Sequence, residues 1–284
     1  MLIIIKEGCS LKCYQCSGLM DDTISINYTI TAEHFPQLNN CSTVTTEHYC
    51  YAGIYWYKSE TSYLQIIAEF EESFDPDSGI NTYIVDPPSN FGSVFNATHY
   101  LIHSCNTDNC NDPMNLRLLL KSLKISADLI KIKPLLSSNQ PVNKSSCLIF
   151  SNDTDSFEGS CTIDDQCNYC DMTMITKSLK SYVCCGCSYT DPSQSDDYQF
   201  QVQMSCNMKE KKCQHQIHLN CNVPQCNFLE NVKRIQQMYE NEFNFDTFVQ
   251  STANAINSTE TCLFLIKLSI VYFIVYFWEK KAKN

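Results

Sequence analysis

Cysteine and histidine are the residues of this chain whose types and spacing could support metal binding or cross-linking. A Cys-x2-Cys pair at residues 167–170 has the spacing of half a zinc site. A second group has thiols and imidazoles close enough in the sequence to ligate one zinc ion, namely Cys213, His215, His218 and Cys221. In an oxidising compartment the same cysteines would form disulfides, so the location of the protein decides between the two chemistries.

The number and distribution of the cysteines favour disulfides. The 284 residues include 19 cysteines, with one cluster at residues 9–110, a second at 147–226 and a last one at Cys262. Two clusters with a cysteine-free gap between them predict two small modules whose thin cores depend on cross-links. Asn-x-Ser/Thr sequons agree with an extracellular location, at Asn27, Asn40, Asn96, Asn143, Asn152 and Asn257. We therefore predict disulfides, with neither a metal ion nor a cofactor.

The negative charge is concentrated in the first cysteine-rich part. The formal net charge is −11, and Lys58 is the one basic residue within residues 13–112. An acidic surface is a poor match for nucleic acid or an anionic lipid. This charge favours a basic extracellular protein as the partner, although a solvated acidic face without a specific role would have the same composition.

Residues 17–104 have the alternation and turn signals of β-structure. The pattern predicts one strand at Thr23–Thr31 and a hairpin of Tyr51–Lys58 with Tyr63–Phe70. A further pair, Ile80–Val85 and Val94–His103, flanks a predicted turn at Pro87–Gly92.

Two cysteine-free segments have helical periodicity. Residues 114–146 read as a basic helical linker, with a helix over Leu116–Ile132 whose apolar face is Leu116, Leu119, Leu120, Leu123 and Ala127. This helix could pack on a neighbouring module or lie on a membrane surface. Residues 228–261 read as a stalk, with a helix that places on one face Phe228, Val232, Ile235 and Tyr239.

Both ends of the chain suggest membrane targeting. Residues 1–10 resemble the remnant of a secretory signal peptide. The apolar run Cys262–Trp278 predicts a transmembrane helix, and the basic tail 279–284 predicts that the N-terminus is outside the plasma membrane. The competing interpretation is a lipid-anchor signal, with attachment at Ser251 in a small-residue triplet.

Three short motifs resemble those of the Ly-6/urokinase-receptor (three-finger) family. The segment Leu11–Cys16 reads L-x-C-Y-x-C, and C-x4-C-N occurs at Cys105–Asn111 and again at Cys221–Asn227. The resemblance is clear over 11–113 and weaker over 147–227. It implies a small disulfide-rich all-β fold, with a three-finger module, a second cysteine-rich module and the C-terminal membrane helix.

The resemblance also implies specific cross-links. In the first module it implies Cys13–Cys50 and Cys105–Cys110. In the second module the repeated C-x4-C-N motif makes Cys221 and Cys226 candidate disulfide cysteines, and the pairing within residues 147–226 stays open. The sequence departs from the family pattern at Ser104, where a cysteine is usual. The usual partners of Cys16 and Cys41 are also missing, and we predict a variant bridge between these two.

The chain lacks the sequence motifs of common enzyme active sites, so we predict a protein that is not an enzyme. Three aromatic residues on the second predicted finger, Tyr55, Trp56 and Tyr57, are candidate anchors for a protein ligand. The predicted function is protein recognition at the cell surface. The alternatives are a glycosylated coat or adhesion protein without a dedicated ligand and, as a third class, an extracellular metalloenzyme.

Overall fold

The part of the chain that the computed structural model describes is mostly β-structure, with a few short helices. It comprises residues 10–16, 23–57, 60–68, 79–91, 94–138, 142–152, 163–164, 167–178, 180–189 and 198–248, with the backbone alone at 87–91 and 94–96. The coarse prediction of a disulfide-rich β protein is confirmed.

Fourteen strands occur among the described residues. They are β1 (Leu11–Cys16), β2 (Thr23–Ile26), β3 (Cys41–Thr46), β4 (Cys50–Trp56), β5 (Ser62–Ile67), β6 (Ile80–Phe91), β7 (Val94–Cys105), β8 (Leu123–Ala127), β9 (Phe150–Ser151), β10 (Tyr169–Lys177), β11 (Lys180–Ser188), β12 (Tyr198–Asn207), β13 (Lys212–Cys221) and β14 (Tyr239–Phe243). The helices are α1 (Pro113–Ser122), α2 (Leu129–Leu136) and α3 (Leu229–Gln236), and a 3-10 turn lies at Lys144–Ser146.

Ten of these strands form one antiparallel sheet that runs through both cysteine-rich parts of the chain. Its order is β2-β5-β4-β7-β6-β12-β13-β10-β11-β9. The last five strands repeat the order of the first five in reverse, starting from the β6–β12 pair, so that β12, β13, β10 and β11 correspond to β6, β7, β4 and β5. The β6–β12 pair is centred on Tyr83 opposite Gln203, so the two parts are halves of one sheet.

The β4–β5 hairpin agrees with the sequence prediction, whereas the predicted turn at Pro87–Gly92 is wrong over most of its length. β6 continues through Phe91, and its register with β7 shifts between Ile84 and Ser89. A register irregularity of this kind leaves a residue out of the ladder, which is where a strand tolerates proline.

The predicted helix over Leu116–Ile132 is interrupted in its middle: residues 116–122 are helical in α1 and residues 129–132 in α2, but a strand lies between them. α1 ends at Ser122, and the next five residues form β8 with alternating partial burial. β8 pairs with β14, which lies within the segment predicted as a helical stalk and contains Tyr239. The local pattern favoured a helix because the strand partner is more than a hundred residues away in the sequence.

The β8–β14 ribbon connects the two halves a second time. The Asp128 amide donates to the Met238 carbonyl at one end, and the Asn244 amide donates to the Ser122 carbonyl at the other. In the middle, the Thr82 hydroxyl of β6 donates to the Asn241 side-chain oxygen, and both residues are buried. The described parts of the segments predicted as linker and stalk, residues 114–138, 142–146 and 228–248, are therefore packed parts of the fold.

One face of the sheet, the covered face, is packed against α1, α2, α3 and the ribbon. In the first half it packs Leu116 and Leu119 of α1 against Ile54 and Leu101. In the second half Val232 and Ile235 of α3 pack with a sheet cluster that includes Phe200, Val202, Ile217 and Leu219. Burial of these apolar side chains is the main source of stability for the shared sheet.

Candidate recognition surface

Two disulfides of each half occupy corresponding positions: Cys13–Cys50 and Cys147–Cys170 end on β4 and β10, and the closing bridges Cys105–Cys110 and Cys221–Cys226 follow β7 and β13. In the first half the bridges are Cys13–Cys50, Cys16–Cys41 and Cys105–Cys110, which are the three pairings predicted for this module. The second half contains Cys147–Cys170, Cys167–Cys187, Cys206–Cys213 and Cys221–Cys226, and the last bridge joins the two cysteines that were predicted to be disulfide-bonded there. Cys184 is disulfide-bonded as well, and Cys185 is a buried free thiol.

The zinc hypothesis does not fit this geometry. Cys213 and Cys221 are bonded to other cysteines, as are both members of the Cys-x2-Cys pair. His215 and His218 lie on the same strand at an odd spacing, so their side chains point to opposite faces of the sheet. The four candidate ligands therefore cannot meet around one ion.

Asn111 and Asn227 are structural residues that the sequence analysis did not recognise. The Asn111 side chain, fully buried after the closing disulfide, accepts from the Tyr14 amide at 2.9 Å. Its Nδ2 donates to the carbonyls of Tyr14, Tyr51 and Ile67 at 2.9, 3.1 and 3.2 Å. In the sequence, the only sign of this structural role is that an asparagine ends the C-x4-C-N motif.

Asn227 makes the same set of contacts in the second half. It accepts from the Leu148 amide and donates to the carbonyls of Leu148, Asp171 and Gly186. The positive φ angles of Asn109 and Gln225, two residues before each asparagine, also correspond. The second half therefore repeats the geometry of the first.

Two of the three predicted aromatic anchors are not exposed. Tyr55 is 1% exposed and Trp56 is 9% exposed, and the Trp56 indole donates to the Ile30 carbonyl on the covered face. Tyr57 is half-buried and packs against Tyr63 with ring centroids 5.1 Å apart. The thin module needs these large rings for its core, so Tyr55 and Trp56 are unavailable as surface anchors.

The opposite face of the sheet, the Tyr–Gln face, presents an uncharged row of side chains that crosses both halves. The strand register places one residue from each of eight consecutive strands side by side. This central row is Tyr63, Tyr55, Tyr100, Tyr83, Gln203, Gln216, Ile175 and Tyr182. At about 4.8 Å between strands the row is roughly 34 Å long.

Direct contacts hold the central row together. The Tyr83 and Tyr100 rings stack with centroids 4.5 Å apart, and the Tyr55 ring lies 6.1 Å from that of Tyr100. Across the junction of the halves, Gln203 Nε2 donates to the Tyr83 hydroxyl at 3.1 Å and to the Ser205 hydroxyl at 3.0 Å. Tyr63, Tyr83, Gln203, Gln216 and Tyr182 are only half-buried, so they offer rings and amides at the surface, whereas Tyr55 and Tyr100 are buried within the row.

No protein-family model, curated protein or solved structure matches this chain. The strand order is repeated in the two halves, and the β6–β12 pair joins both halves in one sheet.

The predicted glycosylation and membrane-anchoring sites lie partly within and partly outside the described residues. The side chains of Asn27, Asn40, Asn143 and Asn152 are exposed, and Asn152 also accepts from the Val183 amide. The Asn96 side chain, Asn257, Ser251, residues 1–9 and the predicted span Cys262–Trp278 lie outside the described residues. Within the described ranges, none of the helices has the length and apolar character needed to span a membrane.

Buried tyrosines on this face should make the free energy of unfolding decrease at alkaline pH. Burial raises the pKa of Tyr55 and Tyr83 to about 12. Between pH 10 and 12 the unfolded chain loses phenolic protons that the folded chain retains, so stability is complete below pH 10 and falls as the pH rises. Urea titrations across this range should show the decrease, with a shallower slope in Tyr83→Phe. The matched control is Tyr28→Phe at an exposed position, and equal slopes in all three proteins would contradict the burial of Tyr83.

Proposed function

We propose that this protein recognises another extracellular protein through the Tyr–Gln face, without being an enzyme. The observation that carries the proposal is the set of half-buried side chains in the central row, because they lie on both halves and meet where Tyr83 is beside Gln203. Tyrosine is enriched at the centres of protein interfaces, and charged residues are depleted there. A face about 34 Å long can accommodate a standard interface of roughly 800 Å² per partner.

The proposed surface differs from the finger tips expected from the sequence. Tyr55 and Trp56 support the core, whereas Tyr83 and Gln203 combine partial exposure with fixed positions. Rigid aromatic and amide groups lose little conformational entropy on binding, which favours affinity. The acidic first half would attract a basic partner and increase its association rate.

The cellular setting is part of the same proposal. Two disulfide-linked β modules resembling three-finger domains would stand on the outer surface of the plasma membrane, held by a C-terminal span or a lipid anchor. Disulfide bridges in both halves support an oxidising compartment. The exposed sequons at Asn27, Asn40 and Asn143 are compatible with that location.

Charge introduced into the central row should abolish recognition. A fluorescent, multimerised full-length chain would be titrated onto cells of the source organism, and saturable binding would be measured by flow cytometry. Gln203→Arg places a cation beside Tyr83, and we expect at least about tenfold weaker binding because an unpaired charge must be desolvated. Gln236→Arg, at an exposed position on α3, is the matched control and should bind as the wild type does.

Two results would contradict the proposal. Equal binding by the Gln203→Arg and wild-type chains, with equal thermal stability, would place the interface elsewhere. A lack of saturable binding by the wild type would favour the coat or adhesion protein without a dedicated ligand.

A further inference from the structure

Two disulfides of the second half contact each other through their sulfur atoms. Cys147–Cys170 joins the residue after the 3-10 turn to β10, and Cys167–Cys187 joins the segment before β10 to β11. The Cys187 Sγ atom lies 3.4 Å from the Cys147 Sγ atom. The Sγ atoms of Cys147, Cys167 and Cys187 all lie within 4.8 Å of one another. A thiolate released from one bridge would therefore lie against a sulfur of the other, which is the arrangement that thiol–disulfide exchange requires.

The four sulfurs of this pair differ in their access to solvent. Cys170 and Cys187 are fully buried and Cys147 is nearly so, whereas Cys167 is partly exposed. Exchange begins when a thiolate attacks a disulfide sulfur, and the sulfur must be accessible to it. A thiol from solution would therefore enter the pair at Cys167.

The first half has the same Cys-x2-Cys spacing, at Cys13 and Cys16, but its bridges are kept apart. Both residues lie on β1 at an odd spacing, so their side chains point to opposite sides of the strand. Cys13 accordingly packs with Cys50 in one buried cluster, and Cys16 packs with Cys41 in another. Over the described ranges, the second half contains the one set of three cysteine sulfurs that lie this close together.

We propose that a small thiol converts the bridges Cys147–Cys170 and Cys167–Cys187 into Cys147–Cys187 and Cys167–Cys170. The thiolate attacks Cys167 Sγ, forms a mixed disulfide and releases Cys187 as a thiolate. The Cys187 thiolate attacks Cys147 Sγ and releases Cys170 as a thiolate. Cys170 then attacks Cys167 Sγ and releases the small thiolate. Two disulfides break and two form without net oxidation or reduction, so the small thiol acts as a catalyst.

The new pairing changes the start of β10. In extended backbone the Cα atoms of Cys167 and Cys170 would be about 10 Å apart at 3.3 Å per residue. A disulfide needs about 4.4–6.8 Å between them. The segment must therefore fold back, and the hydrogen bond from the Asn168 amide to the Ser188 carbonyl at 3.1 Å would be lost. The exchange thus shortens the β10–β11 hairpin, whose second strand carries Tyr182 of the central row.

Non-reducing peptide mapping of the full-length, wild-type chain tests the exchange. The chain is incubated with a substoichiometric amount of reduced glutathione, trapped with N-ethylmaleimide and cut before aspartate. This cleavage isolates residues 165–170, which contain Cys167 and Cys170. Before exchange this peptide is linked to the peptides that carry Cys147 and Cys187. After exchange it is released with an internal disulfide, in about 1% of the chains or more, the population of a minor state within a few kcal/mol of the major one.

The rate of this release should rise about tenfold from pH 6 to pH 7, because the thiolate fraction of glutathione rises tenfold. Cys13–Cys50 and Cys16–Cys41 are the internal control and should keep their pairing. Three results would each overturn the proposal. They are a 165–170 peptide that stays linked to the other two, its release only as glutathione is consumed, and equal exchange between the control bridges.

A variant removes the need for an external thiol. Cys167→Ser leaves Cys187 as a thiol beside Cys147–Cys170, so Cys187 should displace Cys170 without glutathione. N-ethylmaleimide labelling in denaturant should then find label on Cys170 in part of the chains, besides the label on Cys185. Label on Cys187 and Cys185 alone would contradict the proposed attack on Cys147.

Cys41→Ser is the matched control for this variant. It leaves Cys16 as a thiol in a different cluster from Cys13–Cys50, so the label should stay on Cys16. Transfer of the label to Cys13 or Cys50 would show that exchange does not need the sulfur contact. Recognition through the Tyr–Gln face is tested separately and does not depend on these outcomes.

Discussion

Replacing Asn111 by aspartate is expected to lower the free energy of unfolding by about 3 kcal/mol or more. The Asn111 Nδ2 group faces the carbonyls of Tyr14, Tyr51 and Ile67 and donates hydrogen bonds to them. An aspartate oxygen in its place would accept only, and it would place a negative charge among three carbonyl oxygens without access to water. Removal of one partner from a buried polar network costs this much because the remaining groups lose their hydrogen bonds.

The measurement is equilibrium unfolding in urea, with the disulfides intact. Asn106→Asp is the matched control because Asn106 is exposed in the same disulfide loop, and it should change stability by less than about 0.5 kcal/mol. Asn227→Asp should be as destabilising as Asn111→Asp, since its contacts are equivalent. A change in Asn111→Asp no larger than that of the control would contradict the structural role of this side chain.

The sequence predicts well those features that depend on local pattern. The β4–β5 hairpin follows from alternation around a polar turn, and the closing disulfide Cys105–Cys110 follows from a short motif that recurs at the bonded pair Cys221–Cys226. The resemblance to a known family extends this to Cys13–Cys50, which joins residues 37 apart. These constraints are encoded within each half.

The features that join the halves could not be predicted in this way. β8 has apolar positions that fit a helix and a strand, and its partner β14 decides the outcome from a distant part of the chain. The central row is likewise created by pairing β6 with β12, which brings Tyr83 beside Gln203. The burial of Trp56 depends on how loop residue Ile30 and β8 pack over the sheet.

The shared sheet predicts that damage to one half destabilises both. Removing the Cys13–Cys50 bridge by Cys13→Ser with Cys50→Ser should lower stability by about 4 kcal/mol, since the bridge closes a loop with a sequence separation of 37. Removal of Cys206–Cys213, with a separation of 7, should cost about 2.5 kcal/mol on the same entropy argument. Urea unfolding of both double variants against the wild type measures these losses.

Two local probes test whether the loss reaches the second half. Hydrogen exchange of β7 reports on the first half, and labelling of Cys185 reports on the second. The Cys185 thiol is buried, with its pKa raised to about 12 by burial and then by the charge of Asp171. It should therefore react only when the chain unfolds.

Without Cys13–Cys50, exchange in β7 and labelling of Cys185 should both accelerate by nearly three orders of magnitude, because each 1.4 kcal/mol is a factor of ten. Equal acceleration means that the β6–β12 pair and the β8–β14 ribbon couple the halves into one cooperative unit. Faster exchange in β7 with unchanged labelling of Cys185 would mean that each half unfolds separately. In that case the Tyr–Gln face would be an assembly of two independent modules, and its central row could open at the Tyr83–Gln203 contact.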